Sequence, residues 1–296
     1  MPQTTPRTIR LDAYELAGQD IATVDVGRLH ELSVGVRWPH RPADWDVLRA
    51  LGHGIVALDE IGRVFSSGMW FPHGESCATI GMVITSPRLQ THGGGRWIME
   101  RILAECGTRR LLLNSTRAAY PLYVSLGFEP QGTVYQCQGF VPEGFEVDPS
   151  LTRGVEPLPL GDIYEIAALD AAAFGAPRPE LLTLFAQTAE ACGIRRDGQL
   201  VGFAMRRPFG RGHVIGPLVA TSDEDARALV AELLKGMGGA FVRLDTRQPA
   251  GPLREFLSKA GLVQFDTVRT LTHGGALPPV TSGSPGTYGL AGHALS

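Results

Sequence analysis

The stretch that decides the fold is Ser86-Pro-Arg-Leu-Gln-Thr-His-Gly-Gly-Gly95, a glycine-rich loop that follows an apolar, strand-like run. The residues after it have helical spacing, with Ile98 four positions before Ile102. Glycine tolerates positive φ angles and lets an anion approach the main chain. The first turn of a helix offers unpaired N–H groups and the positive end of its dipole. This strand, loop and helix therefore predict a cradle for a pyrophosphate, whereas a glycine-rich turn alone is more often a plain connector.

The spacing of the loop, Gln90-x-x-Gly93-x-Gly95, separates it from other phosphate-binding loops. A Walker loop requires G-K-[ST], which is absent here. A dinucleotide-binding fold requires G-x-G-x-x-G after its first strand, whereas these glycines follow the third strand of a predicted meander. The loop therefore belongs to neither class.

A second motif, Asn114–Phe128, places Tyr123 four residues before the pair Gly127-Phe128. The loop and this motif, in this order, resemble the two signatures of the GNAT acetyltransferase superfamily. The resemblance is strong over Leu29–Gly139 and weaker over Val155–His273. It implies an α/β (α+β) fold of two GNAT-like lobes, each a mixed, mostly antiparallel sheet flanked by helices.

The same resemblance implies acetyl-CoA as co-substrate. The eight histidines show no metal-ligand spacing, so no metal site is predicted. Main-chain N–H groups of Gln90–Gly95 would hold the pyrophosphate. The strand Met82–Thr85 would splay from its neighbour, pair with the pantetheine arm and polarise the thioester carbonyl through an N–H group. The coenzyme-binding residues implied in this way are Met82, Val83, Ile84, Thr85, Gln90, Thr91, His92, Gly93, Gly94, Gly95, Arg96 and Asn114.

Tyr123 is the implied general acid, which would protonate the departing CoA thiolate. Its residue type alone fits a buried core aromatic equally well. The general base stays open, because the strand position that holds a glutamate in several GNAT enzymes is near Thr79 in this chain. The alternatives are Glu75, Glu60, His53, His73 or a water relay.

The acceptor pocket is expected where the first two helices of such a fold edge the site. An aromatic cluster with His40 and Arg41 suits an amine that carries an acidic group, whereas the mild acidity of the chain suits a cationic amine. Both remain open, as does a helix junction with packed tryptophans. The candidate substrate contacts are Trp38, His40, Trp45 and Glu75.

The second half of the chain repeats the order of the first, which indicates an internal duplication. The echoed pairs are Ile80–Thr85 with Ile215–Ala220, Leu113–Phe128 with Leu244–Leu262, and Gly54–Gly68 with Gly193–Ala204. We therefore predict an N-terminal acetyl-CoA-binding catalytic domain at residues 1–145 and a C-terminal degenerate GNAT-like domain at 146–296. The segment Val141–Leu160 is predicted to be a linker. The tail Gly274–Gly289 is expected to be loosely ordered before a last apolar piece near Tyr288–Ala294.

The second lobe lacks both signatures. Thr221–Ala226 contains three carboxylates and no glycine, so it would repel a pyrophosphate, and Leu257 stands where the first lobe has Tyr123. We expect this lobe to close the acceptor pocket, complete the sheet or make a dimer contact. Its candidate substrate contacts are Asp170, Phe174 and Arg178.

Bulk properties exclude several classes of protein. The 296 residues are 44% hydrophobic and 19% charged, with a net charge of -3. These values predict a folded cytoplasmic protein that binds neither nucleic acid nor membrane. A monomer or a homodimer is expected. The four cysteines are far apart, so neither a disulfide framework nor a zinc ribbon is predicted.

The predicted activity is transfer of acetyl from acetyl-CoA to a primary amine of a small-molecule acceptor, by direct attack in a ternary complex. One alternative is acetylation of a protein N-terminus or lysine. The other is a non-catalytic acyl-CoA-binding sensor.

Overall fold

The computed structural model describes residues 8–11, 14–90, 92–159, 163–277 and 283–296. These residues form one 14-stranded, mostly antiparallel sheet with helices packed against it. The strands are β1 (Thr8–Leu11), β2 (Tyr14–Asp20), β3 (His53–Leu58), β4 (Val64–His73), β5 (Cys77–Thr85), β6 (Arg110–Ser115), β7 (Glu129–Phe140), β8 (Val155–Pro157), β9 (Glu190–Arg196), β10 (Gln199–Phe209), β11 (Gly212–Ala220), β12 (Phe241–Thr246), β13 (Val263–His273) and β14 (Gly286–Gly289). The α-helices are α1 (Val26–Gly35), α2 (Pro42–Leu51), α3 (Gly94–Cys106), α4 (Tyr120–Ser125), α5 (Ile163–Phe174), α6 (Pro179–Ala186), α7 (Asp223–Leu234) and α8 (Pro252–Lys259).

The elements predicted from the sequence in the first half are present with small changes in their ends. They are strands at His53–Asp59, Val64–Phe71, Ala78–Thr85, Arg110–Asn114 and Thr133–Gly139, a helix that ends near Cys106 and a short helix around Tyr120–Leu126. The segment from about Ile21 to Leu51, which the sequence predicts to be mainly helical, splits into α1 and α2, because Arg37 takes a left-handed φ of 62° and Pro42 starts a new helix. Strands β1 and β2 lie outside the sequence prediction.

Two predicted irregular segments contain strands. Val155–Pro157 forms β8 within the predicted linker, and Gly286–Gly289 forms β14 within the predicted loose tail. Both predictions were wrong at these residues, because Pro and Gly at a sheet edge are compatible with pairing. Leu160 of the linker and residues 278–282 of the tail lie outside the described residues.

The two halves of the chain exchange their last strands. The sheet order runs β5-β6-β13-β7-β12-β11, so β13 pairs with β6 and β7 pairs with β12. Leu113 thus faces Leu271, and Cys137 faces Leu244. The exchange joins the halves into one continuous sheet, while the boundary between 145 and 146 stays a prediction.

The core is likewise shared between the halves. One buried cluster includes Phe71 and Met82 from the first half together with Phe185, Phe203 and Met205 from the second. A fully buried side chain of this size contributes about 1.5–3 kcal/mol of transfer free energy. This shared core fixes the two halves against each other around the site described next.

Candidate active site between diverging strands

Strands β5 and β6 separate halfway along their length. They pair in parallel from Cys77 to Ile80, opposite Arg110 to Leu113, and no pairing between them follows in the described part of the chain. At the divergence Met82 has a φ of 51°, and the β4–β5 register shifts between Ser67 and Met69. Such a bulge bends its strand. The edge of β5 that faces the gap therefore offers main-chain groups to a ligand.

The glycine-rich loop lies at the end of this strand and leads into α3. Gly93 is the N-cap, with a φ of 94° and no side-chain cap, so the first-turn N–H groups of α3 have no capping side chain. Gly94 and Gly95 are already helical, and only Gly93 of the three uses a positive φ. Thr91, implied as a coenzyme contact, lies outside the described residues.

Gly95 marks the closest approach of three elements. A Cβ there would lie 3.3 Å from Leu122 Cδ2 on α4 and 3.6 Å from Thr85 Oγ1 on β5. Arg96 also joins the helices, because its Nη2 donates to Ser125 Oγ at 2.6 Å. The loop, the free strand edge and α4 therefore form one continuous surface.

Tyr123 lies on α4 beside this surface and is 5% exposed. Its ring meets Phe128 edge-on at 6.0 Å, and Gly127 ends the helix with a φ of 85°. Among the described residues, no hydrogen bond to the Tyr123 hydroxyl is found. Burial raises the pKa of Tyr123, so the hydroxyl keeps a proton that it can donate.

A cavity of about 400 Å³ adjoins the divergence and is walled by both halves of the chain. Trp38 and His40 line it from the α1–α2 connection, and Gly81 and Met82 line it from β5. The second half contributes Arg207, Phe209, Arg211, Phe241, Arg243, Asp245 and the segment from Gly292 to Leu295.

The predicted substrate contacts divide into two groups. Trp38 and His40 line the cavity. Trp45 does not, since it is fully buried and donates from Nε1 to Ser33 Oγ at 3.2 Å. Glu75 lies in the exposed turn between β4 and β5. Arg41 is engaged by Asp44, which accepts from its Nη2 at 2.8 Å.

The predicted alternatives for the base lie away from the cavity. Glu60, His53 and Glu75 are absent from its lining, and His53 packs on Trp70 with ring centres 5.5 Å apart. Thr79 is buried against His73, with Oγ1 3.0 Å from Nε2. Burial, and then Arg178, lower the pKa of His73 to about 3, so this imidazole is a weak base.

The C-terminal segment from Gly292 to Ser296 is the part of the site that sequence reasoning missed. Asn114 Nδ2 donates to His293 O and to Ser296 Oγ, both at 2.9 Å. A Cβ added at Gly81 would lie 2.3 Å from Ala294 Cβ. The sequence predicts an apolar piece here, and no motif marks its place against β5.

The residues proposed as substrate contacts in the second half instead hold this segment. Arg178 forms a buried ion pair with Asp170 at 2.7 Å and donates from Nη1 to Leu295 O and Ser296 O. Its guanidinium carbon lies 4.0 Å from the centre of the Phe174 ring. Because these side chains are buried around the chain itself, the expectation of substrate contact was wrong.

The second half contains a matching divergence that is already filled. Strands β11 and β12 pair only at His213 and Val214. Strand β14 then pairs with Leu218–Ala220 along the edge that corresponds to the free edge of β5. At the start of α7, Asp225 accepts hydrogen bonds from Ser222 and Arg196.

Two searches of the described residues concern metals and membranes. No group of three or more His, Cys, Asp or Glu in the described ranges could hold a metal ion. No helix among those residues is both long and apolar enough to cross a membrane.

Comparisons with known proteins bear on this geometry. Residues 166–284 match the family described as "Acetyltransferase (GNAT) domain". The chain is 30% identical over 193 residues to the uncharacterized N-acetyltransferase YitH of Bacillus subtilis (strain 168), which covers 64% of this chain and 67% of that protein.

Two solved structures share the fold. A proposed acetyltransferase from Pyrococcus horikoshii superposes with a TM-score of 0.75 at 16% identity, covering 94% of this chain and 96% of the other. A tandem GNAT protein from the clavulanic acid biosynthesis pathway superposes with a TM-score of 0.60 at 16% identity, covering 87% and 98%.

The fold and the relative of Bacillus subtilis together define the class of protein. The chain belongs to the GNAT acetyltransferase superfamily. Within it, the chain has the tandem architecture of two GNAT-like lobes. The family match covers the lobe that lacks both signature motifs, which supports the internal duplication inferred from the sequence.

Proposed function

We propose that the protein is an acetyl-CoA-dependent N-acetyltransferase that acetylates a primary amine on a small molecule carrying an acidic group. The observation that carries this proposal is the junction of the free β5 edge, the uncapped start of α3 and Tyr123. Gly93 and Gly95 let phosphates approach the main chain at that junction. The residues present therefore fit a coenzyme A pyrophosphate and a pantetheine arm.

The residues of the first lobe have separate roles in this proposal. Bound acetyl-CoA supplies the acetyl thioester. Main-chain N–H groups from Gln90 to Gly95 hold the pyrophosphate, and the edge from Met82 to Thr85 pairs with the arm. A main-chain N–H of that edge stabilises charge on the carbonyl oxygen, which is worth a few kcal/mol per donor, on the order of 3. Tyr123 donates a proton to the sulfur.

The shape of the cavity supports a small acceptor. Its volume of about 400 Å³ is in the range of small-molecule sites, about 300–1,000 Å³. Walls from both lobes enclose it, whereas a protein substrate is better served by an open groove. The cavity therefore favours a metabolite over a protein N-terminus or lysine.

The charges of the cavity support an acidic group on the acceptor. Arg207 is 7% exposed, donates from Nη2 to Ala291 O at 2.8 Å, and has no partner at Nε. Burial lowers the pKa of Arg207 to about 10, so it remains charged at neutral pH. No carboxylate of the described residues lies within ion-pair distance of Arg207 or of Arg211. A buried cation without an anionic partner is costly, and an anionic group on the acceptor would pair with it.

The test begins with binding. Isothermal calorimetry should find one CoA site per chain, and Gly93→Asp should weaken it. No affinity for CoA, or a site in the second lobe, would overturn the proposal.

Turnover then tests the acceptor. Thiol release from acetyl-CoA is measured for paired amines, 4-(aminomethyl)benzoate against benzylamine and phenylalanine against phenethylamine. We expect the acidic member to have a kcat/KM at least about tenfold higher, which is about 1.4 kcal/mol. Arg211→Gln should reduce this preference. Equal turnover of both members contradicts the acidic acceptor but leaves the acetyltransferase standing.

The two alternatives give different results in the same assays. A protein acetyltransferase would acetylate peptides and none of the small amines. A non-catalytic sensor would bind CoA and release no thiol with any amine or peptide.

A further inference from the structure

A histidine and a carboxylate of the second lobe meet at the wall of the cavity. His293 Nε2 lies 3.3 Å from Asp245 Oδ2 and is a buried ring nitrogen without a hydrogen-bond partner among the described residues. Asp245 is buried, and both its oxygens also accept from Arg243 Nε at 2.9 Å. A carboxylate in this position orients an imidazole and selects its tautomer.

The main chain holds this imidazole at the divergence of β5 and β6. The carbonyl of His293 accepts from Asn114 on β6 at 2.9 Å. The next residue, Ala294, packs directly against Gly81 on β5. His293 therefore lines the same cavity wall as Gly81 and Met82, where the thioester would be attacked.

We propose that His293 is the general base of the acetyl transfer and that Asp245 positions it; this inference rests on the proposed function. With Nε2–H directed at Asp245, the ring nitrogen Nδ1 takes a proton from the ammonium group of the acceptor. The free amine forms a C–N bond to the carbonyl carbon, and the C–S bond breaks as the sulfur takes the Tyr123 proton. The second amine proton, released as the amide forms, restores Tyr123 through solvent. His293 passes its proton to water.

Two other titratable groups that line the cavity, His40 and Asp44, are less suited to this role. Burial, and then Arg243, lower the pKa of His40 to about 3, so His40 does not hold a proton near neutral pH. Asp44 is held by Arg41 and by the Gly210 N–H at 3.0 Å. The charged or titratable groups that surround His293 are Asp245 and Arg243 on β12, His40 in the α1–α2 connection, and Arg207 on β10.

The test separates proton removal from other effects. His293→Gln keeps the main chain and most of the side-chain volume. Its kcat should fall roughly 100-fold or more with 4-(aminomethyl)benzoate, whose amine is protonated at neutral pH. It should fall less than about tenfold with 4-hydrazinylbenzoate, whose nucleophile is already neutral and needs no base. The KM for acetyl-CoA should not change.

The matched control is His53→Gln, a histidine outside the cavity, which should keep wild-type turnover of both acceptors. Equal losses on both acceptors, or wild-type turnover of the alkylamine by His293→Gln, would overturn the proposal. A wild-type protein that releases no thiol with either acceptor would instead overturn the acetyltransferase assignment.

Asp245→Asn tests the positioning role, because asparagine keeps the shape and removes the charge. It should reproduce the selective loss on the alkylamine, at roughly tenfold. A uniform loss on both acceptors by a folded Asp245→Asn protein would contradict positioning. If that variant does not fold, His293→Gln decides the proposal alone.

Discussion

The two lobes use the same strand divergence in opposite ways. In the first lobe, β5 leaves β6 after Ile80 and its edge from Met82 to Thr85 faces a gap. In the second lobe, β11 leaves β12 after Val214, and β14 fills the gap by pairing with Leu218–Ala220. The divergence in the first lobe therefore offers an unpaired strand edge to an extended ligand. The corresponding edge in the second lobe is already paired with β14.

The helices that follow the two divergences, α3 and α7, differ in how their first turns are capped. Gly93 is the N-cap residue of α3 but has no side chain that could accept a hydrogen bond from the first-turn N–H groups. At the start of α7, the Ser222 side chain caps the helix. The carboxylate of Asp225 in the first turn accepts a hydrogen bond from Arg196. Where the first lobe leaves room for a phosphate, the second already holds a carboxylate. The duplicated backbone is thus compatible with either outcome, and a few side chains decide which occurs.

The chain segment that follows β14 extends from the second lobe into the candidate site of the first lobe. After β14 the chain passes Gly216, where an added Cβ would lie 1.9 Å from Leu290 O, and then reaches Gly81, the echoed glycine, at Ala294. Both glycines are required because the same segment crosses both divergences. A lobe without the coenzyme motifs therefore contributes a wall of the cavity that adjoins the divergence of β5 and β6.

The strongest test of this comparison is Tyr123→Phe, which removes only a hydroxyl. The kcat should fall roughly 10²–10⁴-fold if Tyr123 is the general acid, while the Kd for CoA should stay constant. Tyr120→Phe on the same helix is the matched control and should keep kcat within about twofold. Unchanged turnover in Tyr123→Phe would make the tyrosine a core residue, like the buried Leu257 of the second lobe.

The next test places a carboxylate at the start of α3, as the second lobe has at the start of α7. Gly93→Asp and Gly93→Asn both suit a left-handed φ, so they differ mainly in charge. Two unit charges about 4 Å apart interact by about 4 kcal/mol at an effective dielectric of 20. That energy corresponds to roughly a thousandfold in affinity. Because Gly93 is exposed and solvent screens the two charges, we expect a smaller effect, with CoA binding about 100-fold more weakly to the Asp variant than to the Asn variant, and we expect the difference to shrink at high salt. Equal affinities in calorimetry would remove the phosphates from this loop.

The sequence predicted what local patterns encode. The spacing from Gln90 to Gly95 and from Tyr123 to Phe128 sufficed for the fold and for the candidate cradle. Helical periodicity around Ile98 and Ile102 placed α3 correctly. These features are local, since each depends on residues within a few turns of one another.

Long-range pairing left no comparable pattern. The exchange of β7 and β13 depends on which neighbouring strand each one pairs with. The sequence pattern of either strand is compatible with pairing to β6 or to β12. His293 and Asp245 are far apart in the chain; Asp245 lies in the segment that echoes the second motif, and His293 lies outside every motif. The triple glycine also misled in part, because only Gly93 takes a positive φ. The other two glycines begin the helix, and a Cβ at Gly95 would require only a small displacement of the Leu122 side chain.

A pH experiment tests whether the two lobes unfold as one unit. His73 on β4 packs on Phe174 of α5, with ring centres 5.2 Å apart. Burial, and then Arg178, lower its pKa to about 3, against about 6.5 in an unfolded chain. Between these values the unfolded chain binds one more proton, so stability falls as pH drops through this window. At pH 5 the loss from this histidine is about 2 kcal/mol.

Urea unfolding at pH 7 and pH 5 measures this loss in the wild type and in His73→Gln, which should be less sensitive to pH by that amount. If the lobes unfold cooperatively, a single unfolding transition should shift to lower urea concentration at pH 5. Two transitions, of which only one moves with pH, would show that the exchanged strands do not couple the lobes.

The smallest expected effect concerns the cap of the second lobe. Ser222 Oγ accepts from the Asp225 N–H at 3.1 Å and lies 2.9 Å from Asp225 Oδ2. Ser222→Ala should lower the free energy of unfolding by about 1 kcal/mol, and Ser222→Thr should retain most of it because threonine also caps helices. Neither change should alter the KM for acetyl-CoA, since this helix start is occupied by its own carboxylate. A higher KM in Ser222→Ala, with the first lobe intact, would mean that the second helix also contacts the coenzyme, which contradicts coenzyme binding by the first lobe alone.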